Sequence, residues 1–225
     1  MTVSEKCFVD YCYRRGYAVE AIERQPNVRK TADFRVTAHG HRAIVEIKEL
    51  ISNDEVRPAY DPDPNRKPKK SSDVFADRAR THIAEAAEQL RSYRSEGLPL
   101  VGVLYDNIQL NGRRHPFPYI DLDAGQIDAG MYGYHREFPT IVSGRGTPRK
   151  KPRIERLMTS EEKRYVSAVC VLYDIPELQM RTYHNFYAKV PLPAQVFSGQ
   201  ADLHLMKPAD PAICPGEWIA YTSSD

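Results

Sequence analysis

The run Leu100-Val101-Gly102-Val103-Leu104-Tyr105 is apolar from end to end. An unbroken run of this kind is the pattern of a strand buried on both faces, so the sheet that holds it must be covered on each side. The preceding segment supplies one cover. From an Asp73 cap to about Ser95, the residues Phe75, Ala79, Ile83, Ala86, Leu90 and Tyr93 recur close to a 3.6 period, and Gly97 and Pro99 end the helix. A helix feeding a doubly buried strand predicts an α/β chain.

The first third predicts a helix followed by an antiparallel meander. Thr2 and Glu5 have capping-box spacing at the start of a helix over 3–15, which Gly16 stops. Short β-prone runs follow at 17–22, 32–37 and 43–50, the last two joined by a turn over 38–42. Residues 52–72 carry Pro58, Pro62, Pro64 and Pro68 and read as a long surface loop. In the second half, strands are expected at 119–122, 164–173 and 181–190. With no internal repeat and no composition break, the 225 residues read as a single domain.

Chemistry concentrates in the meander. Residues two apart on a strand share a face, so Glu46 and Lys48 project together while Ile47 turns away. If the runs at 32–37 and 43–50 pair, Asp33 stands beside Glu46. Two converging carboxylates suit a hard cation such as Mg²⁺, and an adjacent ammonium can orient a water and offset charge building on a phosphate. The bland alternative is a solvated Glu–Lys pair on a strand edge, which contributes little. Against it stand Ala43, Ile44, Val45, Ile47 and Leu50, which make the strand apolar on both faces and a charge within it costly.

Asp33, with twelve residues between it and Glu46-Ile47-Lys48, resembles the signature of the PD-(D/E)XK nuclease superfamily, which includes restriction endonucleases, Holliday-junction resolvases and RecB-type nucleases. The element order is also similar: helix, strand, Asp-bearing strand, strand with E-x-K, helix, strand. The resemblance implies a restriction-endonuclease-like mixed sheet flanked by helices, with extra strands and long loops in the second half. It implies that Asp33, Glu46 and the Ile47 carbonyl hold Mg²⁺ (Mn²⁺ as a substitute), and that Lys48 positions the attacking water. Glu5, on the first helix, occupies the place of a further metal-reaching glutamate, beside its capping role. Gln89 and Tyr93 reproduce the QxxxY element of RecB-type members and share a helical face, with His82 two turns earlier. Ala32 stands where the signature has proline, and the resemblance covers only about 3–106.

The implied function is Mg²⁺-dependent hydrolysis of phosphodiester bonds, in DNA first, by metal-activated water. The alternatives are an inactive nucleic-acid-binding or structural subunit on the same fold, or a nuclease for RNA or a nucleotide signal. The formal net charge of +2 requires local basic patches for such a partner. Arg66, Lys67, Lys69 and Lys70 form one, and Arg149, Lys150, Lys151 and Arg153 another; both are candidate phosphate contacts. His39-Gly40-His41 reads as a turn rather than a ligand pair, and Tyr183–Lys189 as an aromatic strand on the core. Four cysteines outside metal-ligand spacing, no apolar run near ~20 residues and Glu5 and Asp10 in the first apolar stretch predict a reduced cytoplasmic protein with no membrane partner. A homodimer is compatible with all of this.

Overall fold

The chain begins as its capping box dictates. The Thr2 N–H donates to Glu5 Oε2 at 2.6 Å and the Glu5 N–H to Thr2 Oγ1 at 3.2 Å, satisfying two otherwise orphaned donors. Helix α1 follows over Val3–Arg14, burying Phe8, Tyr11 and Cys12. The computed structural model describes residues 1–23, 31–51, 71–107, 109–110, 113–114, 124–133, 156–174, 177–212 and 218–221.

Strands β1 (Ala18–Ala21), β2 (Phe34–Ala38) and β3 (His41–Ile51) form the antiparallel meander. The β2–β3 turn is tighter than the sequence predicts: Ala38 pairs with His41, so only His39 and Gly40 lie between the strands. Their φ angles are 50° and 81°, the two positive values of a primed two-residue turn whose twist matches that of the flanking strands. Helix α2 (Ser71–Leu90) then crosses to β4 (Leu100–Asn107), which lies parallel to β3. It starts two residues before the expected cap and ends five before Ser95. A 3-10 turn over Arg91–Tyr93 tightens its last turn ahead of Gly97, as helix ends commonly do.

After a two-stranded ribbon, β5 (Gln109–Leu110) with β6 (Arg113–Arg114), comes helix α3 (Ala124–Tyr132), which the sequence reading missed. Strands β7 (Val166–Tyr173), β8 (Gln179–His184), β9 (Leu203–Met206) and β10 (Ile219–Ala220) complete an eight-stranded mixed sheet of order β1-β2-β3-β4-β7-β8-β9-β10. The strand expected over 181–190 stops at His184. Asn185 ends it, because its side chain donates to the Val166 carbonyl at 2.8 Å and accepts from the Tyr187 N–H at 3.1 Å, a local turn that replaces the ladder. The expected strand at 119–122, the loop body at 52–70 and both basic clusters lie outside the described residues.

Each sheet face has its own cover. Phe34, Val36, Ala43, Val45, Ile47, Val101 and Val103 pack with Phe8, Tyr11 and Cys12 of α1 and with Leu192, Val196 and Phe197. The opposite face, with Leu50, Leu104, Val169 and Val171, packs on Ala79, Ile83 and Ala87 of α2 and on Ile127 and Met131 of α3. The expected double cover of β4 is thus present, and the chain is α/β. Cys7, Cys12 and Cys170 are free thiols. Among the described residues no helix is long and apolar enough to cross a membrane.

The far end of the sheet buries polar groups in pairs. His184 Nε2 and His204 Nδ1 lie 2.9 Å apart, and His204 Nε2 is 3.2 Å from the Phe197 carbonyl oxygen. Burial holds both imidazoles neutral, lowering His204 and taking His184 down to about 3, with His204 adding to the effect there. A histidine whose folded pKa is depressed contributes stability that is complete above its unfolded value of about 6.5 and is lost as pH falls below it. The urea midpoint should therefore drop between pH 7 and pH 4 more steeply for the wild-type chain than for His184→Asn. Equal slopes would show that the pair does not titrate on unfolding.

Candidate metal centre

The two faces of β3 determine where its charges point. Ala43, Val45 and Ile47 turn toward α1, so Ile44, Glu46, Lys48 and Leu50 turn toward α2. The β2–β3 register pairs Phe34 with Val45, so Asp33, one residue before β2, comes level with Glu46. On its other side Glu46 is paired with Gly102 of β4. No β4 side chain crowds the carboxylate, and a Cβ at Gly102 would lie 3.2 Å from Ala86 Cβ of the overlying helix.

Asp33 ends the β2–β3 ladder with its side chain. Its N–H donates to the Val45 carbonyl at 3.1 Å, and its Oδ2 accepts the Ile47 N–H at 2.8 Å, where a strand carbonyl would otherwise stand. The N–H and C=O of one strand residue project to the same edge, so the Ile47 carbonyl points to the edge occupied by Asp33. Burial raises the Asp33 pKa despite the bond from Ile47, and the charge of Glu5 adds to the rise.

Glu46 is 1% exposed. Its Oε1 is 2.8 Å from Lys48 Nζ, while its buried Oε2 meets no donor among the described residues. Burial first and the Asp33 charge second push its pKa up to about 8, against the pull of Lys48. Asp33 and Glu46 are close enough to share a proton, but with both ionised neither can donate to the other. A buried carboxylate oxygen left without a donor is costly unless a proton or a cation satisfies it.

Gln89 fixes the ammonium. Its Oε1 accepts from Lys48 Nζ, and its Nε2 lies 3.4 Å from the Thr31 carbonyl, so one amide bridges β3 and the segment entering Asp33. Tyr93 follows on the 3-10 turn rather than on α2 proper. Its phenol pKa is raised by burial, a hydrogen bond with the Ala32 backbone opposes that rise, and the charge of Glu46 reaches it. His82 completes the α2 wall: burial lowers its pKa, the charges of Arg78 and Lys48 act in the same direction, and Nδ1 is 3.3 Å from Glu85 Oε2. Arg78, one turn earlier, donates to the Ile51 carbonyl at the end of β3. It was absent from the sequence reading, although its spacing to His82 and Gln89 on one helical face could have marked it.

Asp33, Glu46, Lys48, Gln89 and Tyr93 are thus brought together. Glu5 is not a member of the carboxylate pair. Its Oε2 is engaged by the Thr2 N–H, and it reaches the centre only through its charge on Asp33. The candidate phosphate contacts Arg66, Lys67, Lys69, Lys70, Arg149, Lys150, Lys151 and Arg153 lie outside the described residues. Among the described residues no group of three or more His, Cys, Asp and Glu side chains could hold a metal ion. What the chain offers here is two carboxylates and a strand carbonyl, all oxygen donors. That set fits Mg²⁺, which is commonly bound through one or two carboxylates and keeps several waters.

Comparison of the chain with family models, with curated proteins and with solved structures finds no match.

Proposed function

We propose that the chain is a Mg²⁺-dependent phosphodiesterase acting on polynucleotides, DNA first, on a restriction-endonuclease-like fold of the PD-(D/E)XK type. The observation that carries the reading is the donorless buried Oε2 of Glu46, beside Asp33 and with Lys48 on the other oxygen. A structural ion pair would leave no reason to bury an unsatisfied carboxylate oxygen next to a second carboxylate. The order α1, β1, Asp33 leading into β2, β3 with Glu46 and Lys48, α2, β4 supports the fold assignment, as does the parallel pairing of β3 with β4.

In this reading Asp33, Glu46 and the Ile47 carbonyl would hold the cation. The chemistry that Mg²⁺ supplies when bound is Lewis acidity toward a phosphoryl oxygen and an attacking water. Lys48 does the chain's own electrostatic work. Its ammonium, held by Gln89 and Glu46, can donate to the water and to the phosphoryl oxygens as charge accumulates on them. Gln89 keeps that ammonium from relaxing onto Glu46 alone, and so acts as a positioning residue. Neutral His82 adds no cation to compete with Lys48.

Incubation with linear, supercoiled and single-stranded DNA and with RNA, in Mg²⁺ or Mn²⁺, tests the proposal. Cleavage of at least one polynucleotide that stops on chelation is expected. Absence of cleavage in every arm would favour a binding or structural subunit and defeat the proposal.

A further inference from the structure

Beyond the end of α2 lies a cleft of about 800 Å³ that no part of the site above uses. It is lined from two segments far apart in sequence. Glu88, Arg91, Arg94 and Leu98 come from the end of α2 and the turn into β4. Lys163, Arg164, Tyr165 and Lys189 come from either side of β7 and β8. These meet because β4 and β7 are parallel neighbours that pair Leu100 with Val166, and because the Lys189 N–H donates to the Arg164 carbonyl at 2.7 Å. Lys163 takes a left-handed backbone, φ 49°, which turns the chain sharply into β7.

The cleft is cationic. Arg91, Arg94, Lys163, Arg164 and Lys189 outnumber Glu88, Glu161 and Glu162 by five to three. Of these cations Arg91 has a carboxylate within ion-pair range, Glu88 at 3.7 Å, while Arg94, Lys163, Arg164 and Lys189 make no ion pair among the described residues. Arg94, Arg164 and Lys189 are exposed. The Tyr165 hydroxyl is anchored on the Ala87 carbonyl at 3.2 Å, which leaves a half-buried aromatic ring among them. A groove that combines basic side chains with an aromatic ring matches what tracks a polynucleotide strand better than what holds a single small anion.

Its position relative to the metal centre matters most. Gln89 and Tyr93 face Lys48 and Ala32, whereas Glu88, Arg91 and Arg94 of the same stretch face the cleft. The cluster of Ala32, Ile44, Leu90 and Leu100 packs against both Tyr93 of the centre and Tyr165 of the cleft. Glu46 is level with Gly102 and Val169 across the sheet, and Arg164 precedes Val169 by five residues, so at ~3.3 Å per residue and ~4.8 Å per strand the two lie roughly 20 Å apart. We infer that this cleft binds the phosphodiester backbone of the polynucleotide several nucleotides from the bond presented to Glu46 and Lys48. The inference rests on the proposed function for its choice of ligand.

The test is fluorescence anisotropy with short labelled single-stranded DNA, duplex DNA and RNA, in chelator so that nothing is cut, between about 50 and 200 mM salt. The variants are Arg94→Gln, Arg164→Gln and Lys189→Gln, singly and combined, with Arg164→Lys as the conservative control. Each lost phosphate contact should lower the salt slope by about 0.7–0.9, and the triple variant should bind at least about tenfold more weakly in the best-binding arm. Arg164→Lys should bind as the wild type does. A folded triple variant with unchanged affinity and slope overturns the inference even if the wild type cleaves. Weakened binding by the variants of a wild type that never cleaves would support the cleft and count against the nuclease reading. A wild type that binds no polynucleotide overturns both.

Discussion

Glu46→Gln is expected to lower Mg²⁺-dependent cleavage by on the order of 10³-fold or more and to leave the fold intact. A metal centre contributes several kcal/mol of charge stabilisation in the transition state, and each 1.36 kcal/mol is a factor of about ten in rate. Glutamine keeps the length of the side chain under α2 and beside Gly102 but removes the anionic oxygen that has no donor. Stability should move the other way in chelator. A neutral amide resembles the protonated carboxyl that burial and Asp33 favour without metal, and it can donate to Asp33, so the metal-free variant should melt no lower than the wild type. A second readout follows from mass action: Mg²⁺ at 100 times its Kd should stabilise the wild-type chain by about 2.7 kcal/mol, and Glu46→Gln should lose that gain. Thermal melts with and without Mg²⁺, run beside the cleavage assay, measure both. A variant that stays active, or still gains stability from Mg²⁺ as the wild type does, would move the metal away from Glu46.

The second large effect lies far from this centre. Asp128→Ala should destabilise the chain by about 3–5 kcal/mol. Lys207 is almost fully buried, with Nζ 2.9 Å from Asp128 Oδ1 and 4.6 Å from the centre of the Trp218 ring. Removing the carboxylate leaves a buried ammonium without this counter-charge, and that desolvation is the cost. For a chain of this size each kcal/mol is about 2–4 °C, so the melting temperature should fall on the order of 10 °C. Adding Lys207→Met to Asp128→Ala should restore much of the loss, since replacing a whole buried pair by apolar groups is often neutral. A melting temperature unchanged by Asp128→Ala would mean that the pair does not fasten α3 to the strand at 203–206. The cleavage rate per folded molecule should not change.

The difference between these two regions in legibility is physical. Glu46 and Lys48 could be read from the sequence because strand periodicity alone places residues two apart on one face, and the apolar neighbours made their charge conspicuous. Gln89 was reached through the QxxxY resemblance, and the helical period only placed it on one face with Tyr93. Asp33 needed the β2–β3 register, and the side-chain bond to the Ile47 N–H that closes the ladder has no sequence signal. Lys207 and Asp128 lie on different elements whose meeting depends on a sheet order, β7-β8-β9, that periodicity does not encode. The basic cleft was hidden likewise: Arg94 and Arg164 become neighbours only through the parallel pairing of β4 with β7. Helix α3 was missed because a nine-residue helix packed against α2 presents too short a stripe to separate from a loop. Both roles of Glu5 were legible in its spacing, and the structure engages its Oε2 with the Thr2 N–H while its charge reaches Asp33.

Lys48 either works on a phosphodiester or merely neutralises Glu46. Cleavage rates of the wild type and Lys48→Ala, on the polynucleotide that the wild type cuts best and at equal Mg²⁺, decide it most directly. The predicted result is a loss of about 10²–10³-fold in the variant, the range for removing one preorganised donor to the transition state, with Mg²⁺-dependent stabilisation retained. A Lys48→Ala enzyme that cuts at the wild-type rate would contradict the account.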